Sequence, residues 1–279
     1  MSEILWLGDE RCGEVALVGG KAANLSQLMD VHLVPPGFAI TAVQSSVGLA
    51  DEVAGRVRRA YQQLAEQSGT PDPRVAVRSS AIDEDTAGAS FAGQHDTYLN
   101  IVGEDAVVDA VVRCCASAQS EMALAYREQQ GITTGDAEIA VLVQLLVESD
   151  VSAVVFSVNP MTQDHGQVLI NSSWGLGESV VSGTVTPDMY VVGKSANTVV
   201  SQQLSAKERM TVMTEDGTDE VPVPLAQQSA PSLTTSQALE IAGLATKLES
   251  VMGWPVDVEC AVASDELYLL QCRSITTLG

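Results

Sequence analysis

Basic residues are scarce in this chain. Only 14 Lys and Arg stand against 36 Asp and Glu, a formal net charge of −22. No broad basic surface can be assembled from that balance, which argues against nucleic acid and against an anionic membrane as partners. A nucleotide remains compatible, because it needs only a few placed cations and a Mg2+ that oxygen ligands can hold; the same acidity also serves solubility. Aromatic residues make up 4% of the 279 residues while hydrophobic residues make up 46%, so the core has to be built from Val, Ala, Leu and Ile, as in an α/β protein. The five cysteines are odd in number, Cys114 and Cys115 are adjacent, and no C-x-x-C occurs. That pattern excludes a disulfide framework and reads as reduced, buried thiols.

Long apolar runs are missing as well. The longest, "IAVLVQLLV", is too short to cross a bilayer, and the acidic start "MSEILWLGDE" lacks a basic n-region; the expected location is the cytoplasm. The three histidines, His32, His95 and His165, are scattered, with no zinc-type spacing and no G-x-S-x-G elbow nearby. Two nucleotide signatures also fail. The loop holding Gly88 and Gly93 continues with Gln94 where a Walker A loop needs lysine, and "WGLGESVVSG" has Val180 at the third glycine position of a dinucleotide fingerprint.

What is present alternates strands with helices. "VGGKAANLSQLM" reads as a Gly-Gly turn opening a helix, stopped by Pro35 and Pro36 before the strand "VPPGFAIT". A helix over about Ser45 to Gln67 precedes the strand "VAVRSS" and a Gly/Ala/Ser-rich loop, and "DAVVDAVVRCCASAQSEMALAYREQQG" carries the longest helical signal. "IAVLVQLLV" and "SAVVFSV" read as buried strands, followed by strands "QVLINSSW" and "MYVVGK". A Thr/Asp/Pro/Gln-rich stretch from about Met213 to Thr235 reads as an irregular surface excursion, and a helix "TSQALEIAGLATKLESVMG" precedes a terminal strand pair. Strand logic divides the chain near Gln144, into lobes 1–143 and 144–279.

Three stretches could carry chemistry. In "VGGKAAN", Lys21 places an ammonium beside the open N–H groups of a helix start, where phosphate is attracted by both; an ordinary capped helix would read the same way. In "VAVRSSAIDEDTAGASFAGQ", Arg78 ends a strand, and Gly88, Ser90 and Gly93 follow in a loop of small residues whose backbone N–H groups can approach a phosphate closely. His95 lies just after it. In "VDVECAVASDELYLLQCRS", period two puts Asp257 and Glu259 on one face. A three-residue hairpin loop, Ser264 to Glu266, then sets Glu259 opposite Gln271 and Asp257 opposite Arg273, with Gln271 and Arg273 sharing a face with Leu267 and Leu269. Two carboxylates, an amide and a guanidinium on one face suit Mg2+ and bound phosphates, or else make a solvated face with one ion pair. Glu178, in "WGLGESVV", sits near a tight turn.

Taken together, these motifs, with "VLVQLLVESDVSAVVFSVNP" and "INSSWGLGESVVSGTVTPDMYVV", resemble the ATP-binding domain of the phosphoenolpyruvate synthase, pyruvate phosphate dikinase and rifampicin phosphotransferase family. The resemblance covers nearly the whole chain. It implies an α/β, bilobal ATP-grasp fold with a nucleotide cleft between two lobes. Lys21 and Arg78 match the family's phosphate-binding cations, Gln144 the glutamine at the base end of the cleft, and Glu259 with Gln271 the metal-ligand pair. Arg273 matches the arginine that stabilises the transferring phosphate. The implied cofactors are ATP and Mg2+. The implied reaction splits ATP to AMP and phosphorylates a histidine on a mobile domain.

Ala153 and Ser157 depart slightly from the family's "SGVxFT", and Ser274 from its "QxRP". Nothing in the chain resembles the Gly-Gly…Ser-His phosphohistidine domain or an acceptor domain. The leading expectation is therefore an ATP-binding phosphotransferase subunit serving a histidine on a separate partner protein. The alternatives are a self-contained kinase or ligase acting on a small-molecule acceptor, and a nucleotide-binding regulatory module without turnover. Arg273→Ala is expected to abolish transfer with the fold nearly intact, on the premise that Arg273 is exposed.

Overall fold

The computed structural model describes residues 3–44, 49–81, 97–117, 120 and 138–275, and the chain divides into two compact units, Met1–Leu146 and Val147–Gly279. The first contains strand β1 (Ile4–Trp6), helix α1 (Val15–Leu28), β2 (Gly37–Gln44), α2 (Asp51–Ser68), β3 (Val75–Ala81), β4 (Thr97–Ile101), α3 (Glu104–Ser117) and β5 (Glu138–Leu145). Its strands form one antiparallel sheet in the order β1-β2-β5-β3-β4. Alternation decides which face does what. Ile139, Val141 and Val143 of β5, with Val75 and Val77 of β3 and Phe38 and Ile40 of β2, pack on Val57, Tyr61 and Leu64 of α2 and Val107 and Val111 of α3. The opposite face meets α1.

The Gly-Gly turn does not begin α1. A helical turn from Val15 precedes it, Gly19 breaks the helix with φ 72 and ψ 168, and the chain resumes its helix after that break. The break has a steric cause: a Cβ on Gly19 would lie 2.1 Å from the Ser80 carbonyl oxygen, so only glycine admits this approach of helix to strand.

The second unit holds a six-stranded antiparallel sheet, β13-β12-β6-β7-β8-β9. Its members are β6 (Val151–Phe156), β7 (Gln167–Trp174), β8 (Asp188–Gly193), β9 (Thr198–Gln203), β12 (Val256–Ala263) and β13 (Glu266–Ser274). A short helix α4 (Glu178–Val181) follows β7. A separate hairpin, β10 (Arg209–Thr214) with β11 (Gly217–Pro222), and a short helix α5 (Leu225–Gln228) occupy the stretch expected to be irregular. Its polar residues are the exposed side of a two-stranded ribbon, which is why composition read as loop. Helix α6 (Thr235–Met252) is bounded by a Thr234/Gln237 capping box and by left-handed Gly253. It covers the face of the sheet that carries Val168, Ile170, Val256 and Val258.

A fully buried ion pair anchors the crossing from β9 to α6. Lys207 Nζ donates to Asp188 Oδ1 at 2.6 Å, and both side chains are 0% exposed. The carboxylate is otherwise saturated: Ser205 N–H reaches Oδ1 at 2.9 Å, and the N–H and hydroxyl of Ser232 both reach Oδ2 at 2.8 Å. The Ser232 hydroxyl also lies 2.8 Å from that of Ser172 on β7.

All five cysteines are buried thiols. Burial pushes the thiols of Cys12 and Cys115 up to about 11 and that of Cys260 up to about 12, from an ordinary 9.0. A thiol raised in the folded state gives stability that is complete below pH 9 and lost as pH climbs toward 11 to 12, because only the unfolded chain ionises in that window. The urea midpoint should stay level from pH 7 to about 9 and fall steadily above it. A level midpoint to pH 11 would mean that these thiols titrate as if exposed.

Candidate functional site

In the first unit, Arg78 and Ser80 lie on the face of β3 turned toward α1, since Val75 and Val77 take the other. Ser80 Oγ accepts the Ala22 N–H at 3.2 Å, satisfying one donor of the resumed helix beside Lys21. One strand face and one helix start therefore bring Lys21 and Arg78 to the same side of the sheet. Gln144 joins them, because it pairs with Ala76, two residues from Arg78 on that face. Its Nε2 donates to the Pro35 carbonyl at 2.9 Å and its side chain is buried, so the amide has a fixed orientation, and among the described residues no donor meets its Oε1. Gly88, Ser90, Gly93 and His95 lie outside the described residues.

In the second unit, Glu259 pairs with Gln271 and Asp257 with Arg273, the pairing expected from the sequence, but by a different route. The turn has two residues, Ser264 and Asp265, at φ 51 and 63, the left-handed geometry of a tight hairpin. A bulge at Leu270 then restores the one-residue offset, since Glu259 pairs with Gln271 while Cys260 pairs with Leu269. One expectation is thereby corrected: Gln271 and Arg273 do not share a face with Leu267 and Leu269. Those leucines sit with Val262, Cys260 and Val258 on the apolar face. Without the bulge Gln271 and Arg273 would have faced the apolar side with them.

Arg273 is held rather than exposed. Its Nε and Nη2 both donate to Asp257 Oδ2, at 2.9 and 2.8 Å, and the two side chains are 25% and 10% exposed. Truncating it uncovers a carboxylate, so the premise of an intact Arg273→Ala fold does not hold. Glu259 is half-buried and Gln271 buried. Their oxygens are the hard ligands that Mg2+ takes, with phosphates completing its shell. Among the described residues no three His, Cys, Asp or Glu side chains cluster as a metal centre, so a Mg2+ here would depend on this pair and on its nucleotide.

Residues 45–279 match the pyruvate phosphate dikinase AMP/ATP-binding domain. The chain belongs to that family. It is 41% identical to the phosphoenolpyruvate synthase of Pyrococcus furiosus over 249 residues, 86% of this chain and 30% of that protein. It is 33% identical to a probable phosphoenolpyruvate synthase of Pyrococcus horikoshii, over 99% of this chain and 44% of that protein. It is also 33% identical to the rifampicin phosphotransferase of Streptomyces sviceus, over 95% of this chain and 35% of that protein. The chain thus spans less than half the length of these relatives. Among solved structures it is similar to D-alanyl-alanine synthetase A of Vibrio cholerae, with 13% identity, 92% of this chain and 58% of that one covered, and a TM-score of 0.39. Each of its two units is a mixed α/β body with its own antiparallel sheet.

Within this AMP/ATP-binding domain, Glu178 stands apart from the other candidates. It is exposed at the first position of α4, where its Oε2 accepts from the Thr218 hydroxyl at 3.3 Å, which ties the loop after β7 to the β10–β11 hairpin. Gly175 fixes that loop, at φ 76 and with no room for a Cβ beside the Thr211 carbonyl. Sequence reasoning missed two residues, Ser80 and Asn171, and left open the role of a third, Asp257. Ser80 caps the helix at Lys21, Asp257 holds Arg273, and Asn171 stands in the same cross-strand row as Glu259. Only Asp257 had a signal, its place opposite Arg273; the other two need a three-dimensional neighbour to be noticed. No helix among the described residues is long and apolar enough to cross a membrane.

Proposed function

We propose that this chain is the ATP-binding part of a phosphoenolpyruvate synthase-like phosphotransferase that splits ATP to AMP with Mg2+ and passes a phosphoryl group to a histidine of a separate partner protein. The observation that carries this reading is the β12–β13 face, where the Glu259–Gln271 pair lies next to Arg273 in a chain of this family. Bound Mg2+ would screen the phosphate charges and lower the barrier to displacement. Glu259 and Gln271 would hold it through oxygen. Arg273, its guanidinium oriented by Asp257, would present fixed positive charge where negative charge develops. Lys21 and Arg78 would neutralise phosphate oxygens, and the Oε1 of Gln144 would accept from the base.

The test incubates the purified chain with Mg-ATP, alone, with lysate of its source and with the lysate's small-molecule fraction, and resolves AMP, ADP and phosphate. AMP formed only with the protein-containing lysate supports the reading; turnover alone or with the small-molecule fraction overturns it in favour of a self-contained kinase or ligase. In the same series Glu259→Gln should weaken Mg-ATP binding roughly tenfold by calorimetry while leaving binding of metal-free ATP unchanged. Equal Mg-ATP affinity would remove Glu259 from the metal site.

A further inference from the structure

One row of the second sheet is unlike its neighbours. Reading across the strands, Gln271, Glu259, Val154, Asn171, Met189 and Gln203 stand opposite one another in turn. Glu259, Val154, Asn171 and Met189 are all half-exposed. The row toward α4 carries Ala261, Ser152 and Ser173, all buried, and the row beyond carries Asp257, Leu169 and Val191, also buried, with Phe156 between Asp257 and Leu169 partly exposed. A partly open track therefore crosses four strands on the face opposite α6. It starts at the Glu259–Gln271 pair, has Val154 as its floor, and next meets a side-chain amide.

That amide is unspent. Asn171 makes no side-chain hydrogen bond among the described residues, although it is half-buried. Two positions along the same face, the Ser173 hydroxyl is completely buried and likewise has no hydrogen-bond partner among the described residues. Buried polar groups are ordinarily satisfied by protein, water or ligand, and the Ser173 hydroxyl, beside the partly exposed Asn171 amide on β7, is one that is not satisfied among the described residues. Adjacent strands are about 4.8 Å apart, so β12 and β7 stand about 10 Å apart, a gap that a polyphosphate can bridge and a lone metal ion cannot.

We infer that Asn171 binds the phosphate chain of the metal-bound nucleotide, its Nδ2 donating to a phosphate oxygen carried over Val154 from the Glu259–Gln271 pair. This inference rests on the nucleotide reading of that pair. It makes Asn171 a phosphate-binding residue of this sheet.

The experiment measures Mg-ATP and adenosine affinities by calorimetry for the wild type, Asn171→Ala, Asn171→Asp and Glu259→Gln, with melting temperatures as the fold control. Asn171→Ala should weaken Mg-ATP roughly tenfold, the loss of one charge-assisted hydrogen bond. Asn171→Asp, which is isosteric and opposes the phosphate charge, should weaken it by about a hundredfold. Adenosine binding should not change in either, and melting temperatures should stay close to wild type because the side chain has no bond to lose. Wild-type Mg-ATP affinity in both variants, with Glu259→Gln impaired, overturns this inference alone. Equal weakening of adenosine overturns it too, placing Asn171 at the nucleoside. No Mg-ATP binding by the wild type overturns the nucleotide reading and this inference with it.

Discussion

Arg273→Ala is expected to lose turnover and stability together, and the two losses should separate in a double mutant. With the guanidinium gone, phosphoryl transfer should fall by about a hundredfold or more, the usual result of removing a preorganised charge from a developing one. The fold should also weaken, by about 2 kcal/mol, because the Asp257 carboxylate, 10% exposed, is left without its cation. A fully buried partner would cost about 3 to 5 kcal/mol, and solvent access to this pair discounts that figure. Asp257→Ala in the same chain removes the stranded charge, so the double variant should recover most of the urea midpoint and none of the turnover. Turnover that returns with stability would mean that Arg273 acts through the fold. Turnover near wild type in Arg273→Ala would remove it from the chemistry altogether.

The hairpin that carries Arg273 illustrates what a sequence gives and what it hides. The cross-strand partners were legible because period two and a short turn leave few registers open. The route was not. A two-residue turn with a bulge and a three-residue turn without one give the same pairing at Glu259 and Gln271, and they differ only in which way Leu267 and Leu269 face. Buried leucines would have decided it had the apolar face been weighed as a whole. The helices α1 and α6 were equally uneven. The Thr234/Gln237 box and Gly253 announced α6 in the order of residues. Nothing local announced that α1 would start before its glycines, because the constraint on Gly19 is the Ser80 carbonyl of a distant strand. Likewise β10 and β11 carry the composition of a loop, and they become strands only by pairing with each other. The candidate site residues that were found are those with charge or a motif. Ser80 and Asn171, neutral and unremarkable in sequence, have their significance from neighbours far along the chain.

The second large effect concerns Lys207, and it should not follow the rule of the first pair. Lys207→Met leaves Asp188 as a carboxylate with no exposure and no counter-charge, so the loss is expected near 3 to 5 kcal/mol, or about 10 °C in melting temperature. For Arg273 and Asp257, deleting the second partner relieves the damage. For Lys207 and Asp188 it adds to it. The Asp188 carboxylate also accepts the Ser205 N–H and both donors of Ser232, and a Leu in its place would strand those groups inside the protein at about 1 to 3 kcal/mol each. The double variant Asp188→Leu/Lys207→Met should therefore be less stable than Lys207→Met, and Asp188→Asn, which keeps one accepting oxygen, should fall between wild type and the Leu variant. Urea midpoints of the four chains decide the matter. A double variant as stable as wild type would mean that the pair is an ordinary replaceable ion pair. The expected order would identify Asp188 as the hub that ties the crossing from β9 through Ser232 to Ser172, directly behind the strand that presents Asn171.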